Sequence, residues 1–226
     1  MAAVRERIAA AALRCGRSAA DVRLVAVSKG QPAEAVREGF AAGLRDFGEN
    51  KLQEAEAKMD ALADLRPRGA VWHLVGHLQS NKARDAGARF DYVHSLDEAG
   101  LGPRLEQGAT RAGRVLKALV QVDLAGEETK FGLPPERLFP ALEQLRGSPS
   151  LHVVGLMALP PYEEDPERVR PFFRRLRELR DGARERDLLQ GGELSMGMSH
   201  DFEVAIEEGA TMVRVGTALF GPRKKA

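Results

Sequence analysis

Short apolar runs alternate along the chain with longer segments in which apolar residues recur at helical spacing. The runs predict eight β-strands, at residues 22–27, 46–48, 71–75, 92–94, 115–122, 153–157, 193–196 and 212–215. The helical spacing predicts helices between them, over residues 33–42, 51–65, 81–88, 97–112, 134–145, 166–184 and 201–208. Pro171 indicates that the helix at 166–184 begins later than its apolar pattern does. An additional N-terminal helix occupies residues 1–20.

This order of elements predicts an α/β fold, a single-domain (β/α)8 TIM barrel. Strands of buried type that alternate with helices are typical of a parallel sheet covered by helices, and eight such units favour closure into a barrel. An open doubly wound sheet is the alternative, but it normally has a glycine-rich turn after strand one, where this chain reads Ser28-Lys29-Gly30-Gln31. We expect one domain over residues 1–226, with the barrel at about 22–221.

Composition and charge narrow the class of protein. The 34 basic and 33 acidic residues give a net charge of +1 and interleave along the chain, so we expect neither nucleic acid nor a membrane surface as a partner. No run of apolar residues is long enough to span a membrane, and the N-terminus does not read as a signal peptide. Cys15 is the only cysteine, which excludes an internal disulfide and fits a reducing compartment. A cytoplasmic monomer is the expectation.

Polar side chains and glycines follow the predicted strands. In a parallel barrel the carboxyl ends of all strands meet at one rim, where the chemistry collects. The candidates at that rim are Lys29, Glu49, Asn50, His77, Asp123, Met157, Ser195, Ser199, Arg214, Gly216 and Thr217. Lys29 is the candidate nucleophile, and a reactive lysine needs a pKa lowered from its usual ~10.4. A surface lysine that keeps its charge in water is the alternative.

The loops after strands seven and eight are small and hydroxylated. They contain Ser195, Ser199, Gly216 and Thr217, and barrels commonly bind a phosphate with these two loops. Tight turns without a ligand are the alternative. A phosphate site combined with a lysine at the end of strand one indicates pyridoxal 5′-phosphate (PLP), which needs both an amine and an anion holder.

Six motifs together resemble the YggS/PROSC family, the pyridoxal phosphate homeostasis proteins. They are VAVSK at 25–29, FGEN at 47–50, WHLVGHLQSNK at 72–82, GLMA at 155–158, LSMGMS at 194–199 and RVGTALFG at 214–221. The similarity extends from about Val22 to Gly221, without a departure at the motif positions. It implies a barrel like the N-terminal domain of alanine racemase, the PLP fold type III.

The resemblance also implies roles for single residues. Lys29 is expected to carry PLP as a Schiff base, Asn50 to lie beside the cofactor ring, and Arg214 to face the pyridine nitrogen. Because an arginine keeps its proton, it favours an unprotonated ring nitrogen and weakens the ring as an electron sink. A structural arginine on the rim is the alternative for Arg214.

The remaining expected cofactor contacts lie on strands six to eight. Ser199, Gly216 and Thr217 are expected to hold the phosphate. Met157 and Ser195 complete the set, and core filling is the alternative for Met157.

Two further sets of residues are weaker candidates. His73 and His77 are four residues apart, but no third ligand accompanies them, so we do not expect a zinc site. Lys130 matches a family lysine in the loop after strand five, and a solvated loop charge is its alternative reading.

The function expected from the resemblance is PLP homeostasis. Such a protein holds PLP on Lys29 and supplies it to apo-enzymes, without robust catalysis. A PLP-dependent racemase on the same barrel is the alternative, disfavoured because no second domain and no well-placed tyrosine supply the opposite base. Weak racemase-type activity and a protein-binding role that retains the cofactor both stay open.

Overall fold

The computed structural model describes residues 1–126 and 131–221 of the chain. Within these residues, eight parallel strands form a closed barrel in chain order. They are β1 Arg23–Val27, β2 Asp46–Glu49, β3 Val71–Leu74, β4 Tyr92–Leu96, β5 Leu116–Gln121, β6 Leu151–Met157, β7 Glu193–Met198 and β8 Met212–Val215. The ring closes where β8 pairs with β1, with Arg214 beside Val25. The predicted (β/α)8 barrel is confirmed, and no strand boundary differs from its prediction by more than two residues.

In the described residues, helices precede, separate and follow the strands. They are α1 Ala2–Arg14, α2 Ala33–Ala41, α3 Leu52–Ala61, α4 Ala83–Arg89, α5 Gly102–Arg111, α6 Leu138–Leu145, α7 Arg170–Glu185, α8 Phe202–Glu207 and α9 Thr217–Phe220. The additional N-terminal helix is confirmed as α1, but it ends at Arg14 and not at residue 20. The short helix α9 is one that the apolar pattern does not predict.

Prolines lie near several predicted helix boundaries that the structure shifts. The helix predicted over 51–65 is too long: α3 ends at Ala61, and a 3₁₀ turn that contains Pro67 follows it. The helix predicted over 97–112 begins too early, because α5 starts at Gly102 with a proline in its first turn. Pro171 likewise lies in the first turn of α7, which confirms the expected later start.

Side chains alternate between two apolar regions along each strand. On β1, Val25 points into a small cluster inside the barrel and Ala26 into the larger core beneath the helices. The same alternation places Met212 inside the barrel and Val213 outside it. Arg214 lies two residues after Met212 on β8, so its side chain also points into the barrel, at the rim.

Candidate functional site

A cleft of about 540 Å³ opens at the carboxyl ends of the strands. Its volume lies within the roughly 300–1,000 Å³ typical of small-molecule sites. Six of the eight predicted site residues line it: Lys29, Asn50, Ser199, Arg214, Gly216 and Thr217. The closed parallel barrel explains this convergence, because it brings strand ends that are distant in sequence to a single rim.

The other two predicted site residues lie behind the cleft wall. Met157 is fully buried and belongs to the apolar cluster inside the barrel. Ser195 is also fully buried, and its Oγ accepts a 2.6 Å hydrogen bond from Nη1 of Arg214. Contact of either residue with a cofactor stays a prediction, while the geometry gives Met157 a packing role and makes Ser195 a support for Arg214.

The half-buried turn that carries Lys29 rests on a polar cluster. Ser28 Oγ donates to Glu49 Oε1 at 2.6 Å. Lys58 Nζ, from α3, donates to the same carboxylate oxygen at 2.8 Å and to the backbone oxygen of Ser28 at 2.6 Å. The residue directly before Lys29 is therefore held by its side chain and its carbonyl group.

The residue after Lys29 joins the same cluster. The backbone N–H of Gly30 donates to Glu54 Oε1, which also accepts from Lys58 Nζ. Burial raises the pKa of Glu49, although the hydrogen bonds from Lys58 and Ser28 oppose the shift. Burial would raise the pKa of Glu54 as well, but its bonds to Lys58 and Gly30 outweigh that effect and lower it. One ammonium group thus neutralises a buried carboxyl and fixes both ends of the lysine turn.

Asn50 is positioned by a close approach of two loops. It follows β2, and Gly76 follows β3 directly beside it. A Cβ atom on Gly76 would lie 2.3 Å from the backbone oxygen of Asn50, too close for any side chain. The glycine therefore lets Asn50 sit on the cleft wall.

The loop after β7 is shaped by a buried carboxylate. Asp201 Oδ1 accepts a 2.6 Å hydrogen bond from the backbone N–H of Met198, and burial raises the pKa of Asp201. Gly197 has φ +89°, a conformation that other residues rarely adopt. Together they turn the chain so that Ser199 faces the cleft. Asp201 was predicted only as a helix start.

Arg214 is a buried cation on the floor of the cleft. Its Nη1 donates to Ser195 and its Nη2 donates to the backbone oxygen of Ala158 at 3.0 Å. Among the described residues, no carboxylate forms an ion pair with it. Burial lowers the pKa of Arg214 to about 10, with the charge of Asp201 opposing the shift. The guanidinium therefore stays charged near neutral pH and offers the cleft donors but no acceptor.

Several residues on the cleft wall were not predicted as site residues. They are Val27, Gln31, Val75, Gly76, His77, Gln121, Phe131, Leu159, Met198, His200, Phe220 and Gly221. His77 had been noted at a strand end, and its Nδ1 lies 3.0 Å from Asp97 Oδ2 while its ring stacks on Phe131. Phe131 could not be predicted as a site residue, because it lies in a loop whose course the sequence does not indicate. Lys130 lies outside the described residues.

His73 and His77 do not share a site. His73 is fully buried inside the barrel and contacts Asp46 and His94, whereas His77 lies at the rim. In residues 1–126 and 131–221, no group of three or more His, Cys, Asp or Glu side chains is arranged to hold a metal ion. The same residues include no helix that is both long enough and apolar enough to cross a membrane.

The fold and cleft define a barrel of the alanine racemase class. The model of the family "Alanine racemase, N-terminal domain" matches residues 1–224. The solved alanine racemase of Clostridium difficile 630 superposes with a TM-score of 0.69 at 14% identity, covering 88% of this chain and 52% of that one. At that identity the likeness concerns the fold alone.

Nearer relatives identify the family within that class. The pyridoxal phosphate homeostasis protein of Aquifex aeolicus is 46% identical, over 98% of this chain and 96% of its own length. The protein of the same name from Pseudomonas aeruginosa is 47% identical, over 99% and 94%. The chain belongs to the family of pyridoxal phosphate homeostasis proteins.

The solved structures of PipY, a similar protein, agree with this membership. PipY of Synechococcus elongatus PCC7942 has been solved without PLP, with a TM-score of 0.85, 43% identity, and coverage of 96% of this chain and 99% of that one. Its structure with PLP bound gives a TM-score of 0.84 at 42% identity, covering 96% and 100%.

Proposed function

We propose that this protein binds PLP through a Schiff base on Lys29, holds it in the cleft at the barrel rim, and supplies it to apo-enzymes without robust catalysis. The observation that carries the proposal is the meeting of three groups in one cleft: the amine of Lys29, the small and hydroxylated loops of Ser199 and Thr217, and the guanidinium of Arg214.

The donor set of the cleft fits PLP. The cofactor supplies an aldehyde for covalent attachment and an aromatic ring that can take up electrons. Lys29 offers the amine for the aldehyde, and the hydroxyl groups of Ser199 and Thr217, with the backbone at Gly216, suit a phosphate. Arg214 can only donate hydrogen bonds, so it suits a ring nitrogen that carries no proton.

The same residues favour holding the cofactor over turning over a substrate. The cluster around Glu49 and Lys58 fixes the turn of Lys29 from both sides. Arg214 keeps its proton near neutral pH, because even the lowered pKa of about 10 lies far above it. A ring whose nitrogen stays unprotonated draws electrons weakly, which disfavours removal of a proton from an amino acid.

The relatives support the same function. Two of them, 46% and 47% identical, carry the name pyridoxal phosphate homeostasis protein, and PipY has been solved with PLP bound. In the proposed function, supply to apo-enzymes is the way in which bound PLP serves such a role.

Attachment is tested by loading the protein with PLP, reducing it with borohydride and mapping the labelled peptide by mass. We expect the label on Lys29 and none in the Lys29→Ala variant, whose barrel core is unchanged. Lys82→Ala is the matched control, because this lysine lies outside the cleft, and it should be labelled as fully as the wild type. A label on Lys82 in the wild type, with none on Lys29, would contradict the assignment.

Supply is tested separately, by mixing the loaded protein with a PLP-dependent apo-enzyme while a phosphatase destroys free PLP. Reactivation of the apo-enzyme under these conditions is the expected result. If reactivation stops whenever the phosphatase is present, the protein releases PLP only into solution and the supply role is wrong.

A further inference from the structure

A chain of hydrogen bonds crosses the interior of the barrel from the cleft to its opposite end. Arg214 Nη1 lies 2.6 Å from Ser195 Oγ, which lies 2.8 Å from His94 Nδ1. His94 Nε2 is 2.9 Å from His73 Nδ1, and His73 Nε2 is 3.0 Å from Asp46 Oδ1. The five side chains come from β8, β7, β4, β3 and β2, so the chain links strands on different sides of the barrel.

The chain lies in apolar surroundings. His73, His94 and Ser195 are fully buried, and Arg214 is 4% exposed. The cluster inside the barrel supplies the surroundings, and the ring of Tyr92 stacks on His73 at 4.6 Å. A polar group in such a place is costly unless each donor finds an acceptor, so the hydrogen-bond directions are strongly constrained.

The chemistry of Asp46 fixes these directions. A carboxylate only accepts, so His73 Nε2 carries a hydrogen and donates to it. A neutral His73 then accepts at Nδ1, which requires His94 to carry its hydrogen on Nε2. His94 therefore accepts at Nδ1, and the hydroxyl of Ser195 donates to it. The lone pairs of Ser195 are left to accept from Arg214, and every bond points from Arg214 towards Asp46.

Burial keeps both histidine rings neutral. Burial lowers the pKa of His73 and lowers that of His94 well below its ordinary value. The charges of Arg23 and Arg214 act in the same direction on His94, while the carboxylates of Asp46 and Asp91 oppose the shift at His73. Lys117, a further cation on β5, donates a 3.2 Å hydrogen bond to the hydroxyl of Tyr92 and not to either histidine.

The hydrogen-bond chain could either relay a proton from Arg214 or hold Arg214 in place, and the pKa values of Arg214 and His73 distinguish the two roles. Transfer of a proton from Arg214 along the chain would leave His73 charged beside Asp46. The pKa of Arg214 is about 10, whereas burial lowers the pKa of His73 from its ordinary value. The proton therefore stays on Arg214. The chain at rest holds Arg214 in place and does not relay its proton.

We propose that Asp46, His73 and His94 are positioning residues of the cleft, which orient the hydroxyl of Ser195 and thereby fix the guanidinium of Arg214. None of the three lines the cleft, and they act only through the hydrogen-bond chain. The orientation of the chain stands on the protein alone, whereas its effect on PLP rests on the proposed function.

The orientation is tested by nitrogen-15 NMR of the protein without PLP. We expect His73 and His94 to be neutral near pH 7, each with a hydrogen on Nε2 and none on Nδ1. The His73→Asn and His94→Asn variants assign the two sets of signals. A hydrogen on Nδ1 of His94, or a charged ring at either position, would overturn the proposal whether or not PLP binds.

The effect on Arg214 is tested with a pair of variants at Asp46. Asp46→Ala removes the final acceptor, so we expect a mixture of tautomers at His94, a shifted absorption band of bound PLP, and affinity for PLP weaker by roughly two- to tenfold, the value of one hydrogen bond. Asp46→Asn keeps an acceptor oxygen and should restore all three properties. A folded Asp46→Ala variant with wild-type tautomers and spectrum would show that the chain does not position Arg214. If the wild type bound no PLP, the proposed function would fail and the NMR result would still stand.

Discussion

Lys58 Nζ lies 2.8 Å from Glu49 Oε1, and the two side chains are only 8% and 0% exposed. The pair connects α3 to the end of β2, directly beneath the turn that carries Lys29. Removing one partner of a buried pair leaves the other charge without compensation, which costs far more than the loss of a surface pair. The stability of the barrel and the placement of the candidate nucleophile therefore depend on one ammonium group.

We expect Lys58→Met to lower the free energy of unfolding by about 3–5 kcal/mol, because it leaves the buried carboxyl group of Glu49 without its positively charged partner. Urea unfolding followed by circular dichroism measures the change. Arg37→Met is the matched control: it breaks an ion pair with Asp64 in which both side chains are about half exposed, and should cost less than about 1 kcal/mol. Equal losses in the two variants would contradict a structural role for the buried pair.

Affinity for PLP should depend on its phosphate. Charge-assisted hydrogen bonds contribute about 1.5–3 kcal/mol each, so we expect pyridoxal to bind far more weakly than PLP. Thr217→Val should weaken PLP binding and leave pyridoxal binding nearly unchanged, as measured by fluorescence titration. Thr110→Val, on the exposed surface of α5, is the control and should change neither affinity. Similar affinities of the wild type for both vitamers would refute a phosphate-anchored site.

The cleft could be predicted from the sequence because the barrel itself brings strand ends together. Once the apolar runs predict eight strand-and-helix units, Lys29, Asn50 and Arg214 must lie on the same rim, whatever their distance along the chain. Ser195 was placed at that rim by the same rule, but the barrel holds it one layer deeper. Strand ends predicted to within two residues are not accurate enough to separate a cleft wall from the layer behind it.

The supports of the cleft could not be predicted, because they depend on which side chains meet inside the barrel. His94 bonds to Ser195, 101 residues away, and Lys58 bonds to the carbonyl group of Ser28, 30 residues away. A histidine in an apolar strand and a lysine on a helix are each ordinary in sequence. Only the period-two alternation of β4 and β7 hints that His94 and Ser195 share the interior.

Acid should destabilise the fold through the buried histidines. Burial holds the pKa of His73 and of His94 below the ordinary 6.5, so the unfolded chain binds protons that the folded chain does not. Their contribution to stability is complete above about pH 6.5 and is lost as the pH falls towards the folded pKa values, by up to about 1.4 kcal/mol per pH unit for each ring. We expect urea unfolding between pH 7 and 5 to show this slope, and His94→Gln to reduce it. His152→Gln is the control, and an identical slope in His94→Gln would contradict the assignment.

A second pH effect is expected at the surface of the barrel. Glu208 is bonded by Arg170, Arg174 and Arg177 at 3.0–3.2 Å. Burial would raise its pKa, but the hydrogen bonds from Arg174 and Arg170 outweigh burial and lower it. We expect Glu208→Gln to cost about 1–3 kcal/mol at pH 7. The cost should shrink as the pH falls below about 4.5, where the carboxyl group of the unfolded chain takes up its proton, and vanish below the lowered pKa of the folded protein. Glu178→Gln, at an exposed pair, should cost little at either pH, and a cost at Glu208 that persists at low pH would rule out the charge as its cause.

The histidines on the cleft wall are already engaged by neighbours. His77 is bonded to Asp97, and its ring is covered by Phe131. His200 Nε2 lies 3.0 Å from the backbone oxygen of Glu163 and from that of Glu164. A side chain that returns a proton to a bound amino acid needs an N–H group directed at that amino acid. The contacts of His77 and His200 hold their rings against other parts of the protein, which makes both residues poor candidates for that acid.

We therefore expect the PLP-loaded protein to turn over no common amino acid at an enzymatic rate. In the proposed function Arg214 faces the ring nitrogen and leaves the ring a weak electron sink, and Lys29 alone would remove a proton only slowly. Exchange of the α-hydrogen in deuterated water, followed for a panel of L- and D-amino acids, is the sensitive measurement, with an alanine racemase as positive control. Racemisation at the ~1–10³ s⁻¹ typical of enzymes would overturn the carrier function. The variants His77→Asn, Tyr162→Phe and His200→Asn would then show which group returns the proton.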